Sequence, residues 1–289
     1  MRITHKIAAL TATLTTALSL LAAPAMAFSV EATNDIETLK NNLLGANTDG
    51  LSNFSVSITG NRAASGIFTN DPFGLRSGVV LSTGKVTDLP GQNRKDNENL
   101  GGSDASTDFL PLEQEGDLTQ LNLSFFADST VEKLFFEYVF ASEEFLEYGG
   151  SRYNDDFELL LNGTNFAKLT DGKTVTINNL VPDKNNRPTD HPDYIDNPSL
   201  TGLAANIIKL DGFTKVLGFE GLLQQNQTNV LSIRIKDVGD GSLDSAVFIK
   251  GNSLVTVKAE AVPEPMTVGG LMAGGAMLAA GRKLRSRRK

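Results

Sequence analysis

Leu231-Ser232-Ile233-Arg234-Ile235-Lys236, the body of a run that starts at Val230, alternates apolar and polar side chains without a break. A period of two is the spacing of a strand. Leu231, Ile233 and Ile235 therefore point to one face while Ser232, Arg234 and Lys236 point to the other. A strand with one dry and one wet face belongs to an antiparallel sheet that covers a core on a single side.

Outward from this stretch the pattern stays β. Leu51 to Ile58, Gly78 to Thr83, Leu121 to Phe126, Lys133 to Phe140, Phe157 to Leu161, Thr174 to Ile177, Val216 to Phe219, Ala246 to Ile249 and Ser253 to Val257 also read as strands. Clusters of Gly, Asn and Asp separate them. One short helix is expected near the start. Asn34 with Glu37 resembles a capping box, and Ile36, Leu39, Leu43 and Leu44 follow at helical spacing before Gly45. No internal repeat is visible. The fold class is all-β, an antiparallel β-sandwich or jelly-roll-like single domain over residues 28–261, with one N-terminal helix and a hydrophobic C-terminal helix. Two polar stretches, Asp88 to Thr107 and Pro182 to Pro198, read as surface loops.

The two ends read as targeting segments. Arg2 and Lys6 precede an apolar run from Ile7 to Leu21, and Pro24-Ala25-Met26-Ala27 follows with small residues around a scissile bond. That order predicts a secretory signal peptide over residues 1–27, removed by signal peptidase after Ala27. An uncleaved anchor is the alternative, weakened by Thr11, Thr13, Thr15 and Thr16 within the run. At the other end Val262-Pro263-Glu264-Pro265 leads into an uncharged segment, Met266 to Gly281. A basic tip of Arg282, Lys283, Arg285, Arg287, Arg288 and Lys289 closes it. A helix crossing the hydrocarbon core wants about 20 apolar residues. This one is shorter and holds Gly269, Gly270, Gly274 and Gly275, so it reads as a transient occupant of the inner membrane, with a plain single-pass tail as the alternative. The box, helix and Arg-rich tip over residues 262–289 resemble the PEP-CTERM sorting signal. The resemblance implies processing by an exosortase in a Gram-negative bacterium that makes exopolysaccharide.

Eight of the 26 basic residues lie in the two end segments, and all 34 acidic ones lie between Phe28 and Pro265, so that stretch carries a charge of −16. Such acidity argues against a nucleic-acid partner, whose phosphates demand a basic face. It favours cations or solubility. There is no cysteine, so nothing staples the domain covalently and a metal could take that role. His191 is the one histidine after Ala27, in a Pro-flanked loop expected to be solvated. No Gly-x-Ser-x-Gly elbow, zinc motif, Walker loop or dinucleotide turn is present.

What the chain offers is oxygen. Glu143 and Glu144 follow the strand ending at Phe140. Asn154, Asp155 and Asp156 precede the strand from Phe157, and a hairpin would bring both groups to one end of adjacent strands. Asp237, Asp240 and Asp244 lie between Lys236 and Ala246. Calcium takes six to eight oxygens from carboxylates, amides, backbone and water, and several loops at one end of a sandwich can supply them. The Asp237 to Asp244 run lacks EF-hand spacing, so a composite calcium site is expected. Ordinary turn capping is the alternative. Two of Glu143, Glu144, Asp155 and Asp156 could instead serve as acid and base on a glycosidic bond. The chain has no Trp and four Tyr for a sugar cleft, and its sixteen Phe read as core.

Six blocks now fall in order. They are Gly78-Val79-Val80-Leu81-Ser82-Thr83-Gly84, Phe136 to Glu144, Tyr153-Asn154-Asp155-Asp156-Phe157, Val175 to Asn179, Asp211-Gly212-Phe213-Thr214, and Ile235 to Asp240 continuing through Asp244 to Lys250. Together they resemble the choice-of-anchor L domain, a bacterial extracellular module, from near Asp35 to about Leu254. Phe145 and Leu146 stand where a tyrosine and a polar residue are more usual, and the loop from Asp183 to Asn197 is unusually Pro-rich. A non-enzymatic, structural or adhesive component of the cell surface or biofilm matrix, with exopolysaccharide or other surface proteins as partners, is the reading expected; the resemblance itself implies an exported surface domain. It supplies no catalytic residues. A matrix glycosidase or a lectin-like glycan-binding module is the alternative.

Overall fold

A computed structural model describes residues 27–94, 105–107, 117–239 and 241–258. The signal peptide up to residue 26, the Pro-Glu-Pro box with its helix and basic tip, Asp240 and half of the first long loop lie outside the described residues. Among the described residues no helix is long and apolar enough to cross a membrane.

In chain order the elements are β1 (Ser29–Ala32), α1 (Ile36–Leu43), β2 (Leu51–Thr59), β3 (Ser65–Thr69), β4 (Ser77–Ser82), β5 (Leu118–Ala127), β6 (Val131–Ser142) and α2 (Phe145–Tyr148). Then come β7 (Asp156–Leu161), β8 (Thr164–Asn165), β9 (Val175–Thr176), α3 (Ile177–Leu180), β10 (Tyr194–Asp196), β11 (Gly212–Thr214), β12 (Leu217–Leu222), β13 (Gln227–Lys236), β14 (Ser245–Lys250) and β15 (Val255–Lys258). The expected short helix forms, but Asp35 caps it rather than Asn34. Asp35 Oδ2 accepts from Thr38 N at 2.8 Å, and the hydrogen bonds from Thr38 hold its carboxyl below the usual range.

The strands form two antiparallel sheets. One runs β1-β3-β4-β14-β6-β11-β10, with β12 and β15 also on β6; the other runs β2-β5-β13-β7-β8, with β9 on β7. The long β6 is the spine of the first sheet. β14 and β15 follow one another along one of its edges, Ser245 to Ile249 against Ser142 to Tyr138 and Val255 to Lys258 against Phe135 to Val131. In β5 the inward positions Leu121, Leu123 and Phe125 alternate with half-buried Gln120, Asn122 and Ser124, and β13 repeats the pattern from Leu231 to Lys236 as its periodicity predicts. Phe136, Tyr138 and Phe140 of β6 meet Phe157, Leu159 and Leu161 of β7 in the core between the sheets. Burial of each such side chain stabilises by about 1.5–3 kcal/mol.

The first sheet is also dry on its other face. Val80, Val139 and Phe248 pack there with Phe28, Phe68, Phe213, Ala204 and Ile208. The Phe248 ring lies 4.9–6.1 Å from those of Phe28, Phe68 and Phe73. A strand buried on both faces has no reason to alternate, which is why Val79-Val80-Leu81 and Ala246-Val247-Phe248-Ile249 are unbroken apolar runs.

Several expectations are corrected. The strand expected from Thr174 to Ile177 shrinks to Val175–Thr176, because Ile177 opens α3, capped by Thr176 Oγ1 on Asn179 N. β6 and β7 are not a hairpin, since the chain crosses from one sheet to the other between them. The stretch from Pro182 to Pro198 is not a plain surface loop; it contains β10 and buries His191, Asp193 and Asn197.

Candidate functional site

The crossings between sheets decide where the carboxylates go. β4, β6 and β13 end, and β5, β7 and β14 begin, at the same end of the sandwich, as the pairs Ala246 with Ser82, Ser245 with Ser142, Lys236 with Leu118 and Lys236 with Asp156 record. The connections 143–155 and 237–244 both cross there. Their acidic residues meet although they come from different sheets.

Seven of the eight residues expected as metal ligands are described and lie near this end, but the structure divides them. Glu143, Glu144, Asp155, Asp237 and Asp244 are all buried. Glu143 N donates to Asp244 O at 3.1 Å, while its Oε1 faces Ala105 N at 3.4 Å, and Asp244 N donates to Ala105 O. Asp155, with no exposed surface, accepts from Val238 N through Oδ1 at 2.9 Å and from Ser245 Oγ through Oδ2 at 2.7 Å. Ser245 Oγ also lies 2.8 Å from Ser142 Oγ, which accepts from Glu144 N. Asn154, the sixth, turns away to accept from Asn178 N at 2.8 Å and caps the turn into α3. Asp156 is directed elsewhere too. It stands half-buried on the outer face of β7, where burial first and then Glu158 raise its pKa against the pull of Arg234 and Lys236.

Asp244 is the most constrained of the set. Its residue surface is 1 % exposed, Oδ1 accepts from Thr107 N at 2.8 Å, and Oδ2 is buried with no hydrogen-bond partner among the described residues. Burial, then the charges of Asp88 and Asp117 against that of Lys209, push its pKa up to about 7. Gly84 lies directly beneath. A Cβ there would fall 2.0 Å from the Asp244 carboxyl carbon, so only glycine leaves room for the carboxylate.

Sequence reasoning missed part of this end. Asp211 and Asn93 are buried beside it: Asn93 Nδ2 donates to Asp211 Oδ1 at 2.6 Å, Asp211 N donates to Ser142 O, and Asn93 Oδ1 has no hydrogen-bond partner among the described residues. Asp117 accepts from Asp237 N through its carbonyl. The signal for Asp211 was its place before the Gly212-Phe213-Thr214 strand; Asn93 carried none. The two buried oxygens, Asn93 Oδ1 from an amide and Asp244 Oδ2 from a carboxylate, have no donor among the described residues and fit a cation better than a donor-poor ligand. Among the described residues no set of three or more Asp, Glu or His side chains is arranged to hold a metal ion by itself. A cation here would therefore draw on amide, hydroxyl and backbone oxygens and on water as well, which calcium accepts.

His191 is not the solvated loop residue expected. It is 8 % exposed, its Nδ1 accepts from Asp193 N at 3.1 Å and its Nε2 lies 3.3 Å from Asp171 Oδ1. It forms one wall of a polar cleft of about 420 Å3 with Asn178, Asn179, Lys173, Asp190 and Pro192.

A family profile described as Choice-of-anchor L domain matches residues 29–255. No curated protein and no solved structure matches the chain.

Proposed function

The chain belongs to the choice-of-anchor L family, whose members are cell-surface proteins, and from that premise we propose that it is an exported, non-enzymatic structural or adhesive component of the cell surface or exopolysaccharide matrix. Calcium stabilises its loop end, and an exosortase sorts it through the Pro-Glu-Pro tail. The observation that carries the calcium reading is the buried Asp244 Oδ2, an acceptor with no hydrogen-bond partner among the described residues and set among other buried carboxylates. Glu143 and Asp244, with Asn93 Oδ1, would supply oxygens, and the ion would neutralise charge that the interior otherwise has to bear. Asn154, whose Oδ1 accepts from Asn178 N, drops out of the ligand pool, and Asp156 stands apart from it on the outer face of β7 beside the charges of Arg234 and Lys236.

The test is a thermal melt of the purified protein in calcium and in chelator. A ligand that binds only the folded state raises the midpoint by mass action, so an unchanged midpoint would sink the metal reading. Burial of Glu143, Glu144 and Asp155 weighs against the glycosidase alternative, because an acid and a base must both touch the scissile bond. A lectin-like role draws support from the cleft beside His191, where Asn179, Asp190 and Lys173 present amide, carboxylate and ammonium groups. A glycan array with the Asp190→Asn variant as control separates this from a purely structural protein.

A further inference from the structure

β2 forms an edge of the second sheet and is bonded to β5 alone. Its nine residues, Leu-Ser-Asn-Phe-Ser-Val-Ser-Ile-Thr, include no charge and no proline. Natural edge strands are kept from pairing by short length, by lysine or proline, or by a bulge. Three other edge strands are short: β1 has four residues with Glu31, β10 three with Asp196, and β8 two. β2 has one such device, a register shift between Ser52 and Ser55 where Asn53 takes φ 54°. Beyond it, Ser55 to Thr59 runs in regular register with Ser124 to Gln120. Among the described residues no hydrogen bond from outside this ladder reaches the backbone of residues 53–59.

The two faces of this edge differ. Ser55, Ser57 and Thr59 are exposed, while Phe54, Val56 and Ile58 are half-buried against the core, with their outer flanks open. We propose that β2 pairs antiparallel with β2 of a second copy of this chain about a two-fold axis, joining two sheets edge to edge. A register centred on Ser57 sets Ser55 against Thr59 and Val56 against Ile58. Hydroxyl then faces hydroxyl, and apolar faces apolar. No charge opposes its own symmetry mate, which is the condition a self-complementary interface has to meet. A foreign strand would satisfy the backbone equally, but nothing in this strand selects for it: there is no charge to complement and no pocket between alternate side chains. Five residues a side bury well under the roughly 1,200 Å² of a stable interface. The pairing is therefore concentration-dependent, populated where copies are crowded at a surface.

The test uses sedimentation of the purified protein from about 10 μM to about 1 mM, a range in which an interface this small should associate. The expected result is a monomer–dimer equilibrium that Ser57→Lys abolishes without moving the melt, because two lysines would meet at the axis. The chain has no cysteine, so Ser57→Cys provides a second readout. Under mild oxidation it should form a cross-linked dimer at least about tenfold faster than Thr228→Cys, an exposed position on the same sheet. A chain that stays monomeric throughout, a dimer that survives Ser57→Lys, or equal cross-linking at the two positions overturns the proposal. Neither readout depends on calcium or on a glycan.

Discussion

Replacing Asp244 by Asn moves the melting midpoint in opposite senses with and without calcium. In chelator at pH 8 the folded chain has to ionise Asp244 where burial, then Asp88 and Asp117, raise its pKa from 3.8 to about 7. At about 1.4 kcal/mol per pH unit that costs the folded state up to about 4 kcal/mol. A folded pKa above the unfolded one means that the proton is held longer by the native chain. The contribution is thus fully present below pH 3.8 and is lost as pH rises through about 7. Asn keeps the acceptor for Thr107 N and never ionises, so it removes the cost. For a domain of this size 1 kcal/mol is about 2–4 °C, which sets a ceiling of about 8–16 °C; water reaching the site would lower it, and a gain of about 4–8 °C in chelator is expected. With calcium at a hundredfold excess over its dissociation constant the native chain gains about 2.7 kcal/mol, while the variant, short of one anionic oxygen, gains little. Circular-dichroism melts in EGTA and in calcium, repeated in EGTA from pH 4 to pH 8, read both effects. A variant that melts lower than the native chain in EGTA, or that keeps the full calcium shift, refutes the reasoning.

Gly84→Ala places a Cβ on the Asp244 carboxyl; it is expected to cost about 1–3 kcal/mol and to abolish the calcium-dependent rise in the same melts. Ser245→Ala removes the hydroxyl that donates to the buried Asp155 carboxylate, for an expected loss of about 1.5–3 kcal/mol by urea denaturation. Asn229 is buried and binds Gln224 N, Gln224 O, Gln227 O and Asn162 Nδ2. Its replacement by Ala should cost about 2–4 kcal/mol and speed amide exchange in the turn before β13. Phe248→Ala empties the centre of the second core and should cost about 3–5 kcal/mol, a loss that the unaltered calcium response distinguishes from damage to the loop end.

The strands of the second sheet were legible because one of their faces is wet, so β5 alternates from Gln120 to Phe125 and β13 from Leu231 to Lys236. Strands of the first sheet were legible only as apolar runs, and β1, β3, β10 and β11 escaped because three to five residues hold too few periods to read. β11 opens on Gly212, where a Cβ would fall 2.5 Å from the ring of Tyr194. The candidate site was partly legible. Glu143, Asp155 and Asp244 sit where strands end, and strand ends converge in a sandwich. The sequence could not reveal that β6 and β7 belong to different sheets, which sends Asp155 inward and Asp156 out. Asn93 was invisible for a related reason, since its role arises from Asp211, more than a hundred residues away.

β14 and β15 lie in line along one edge of β6, and their hydrogen bonds run across that line. Traction applied beyond Lys258, along the strand axis, therefore loads both ladders side by side as shear. No single rung at the end is stripped first. A chain held by its C-terminal side would meet a pull with the sum of these bonds, whereas the same pull at right angles to the strands would open them one after another.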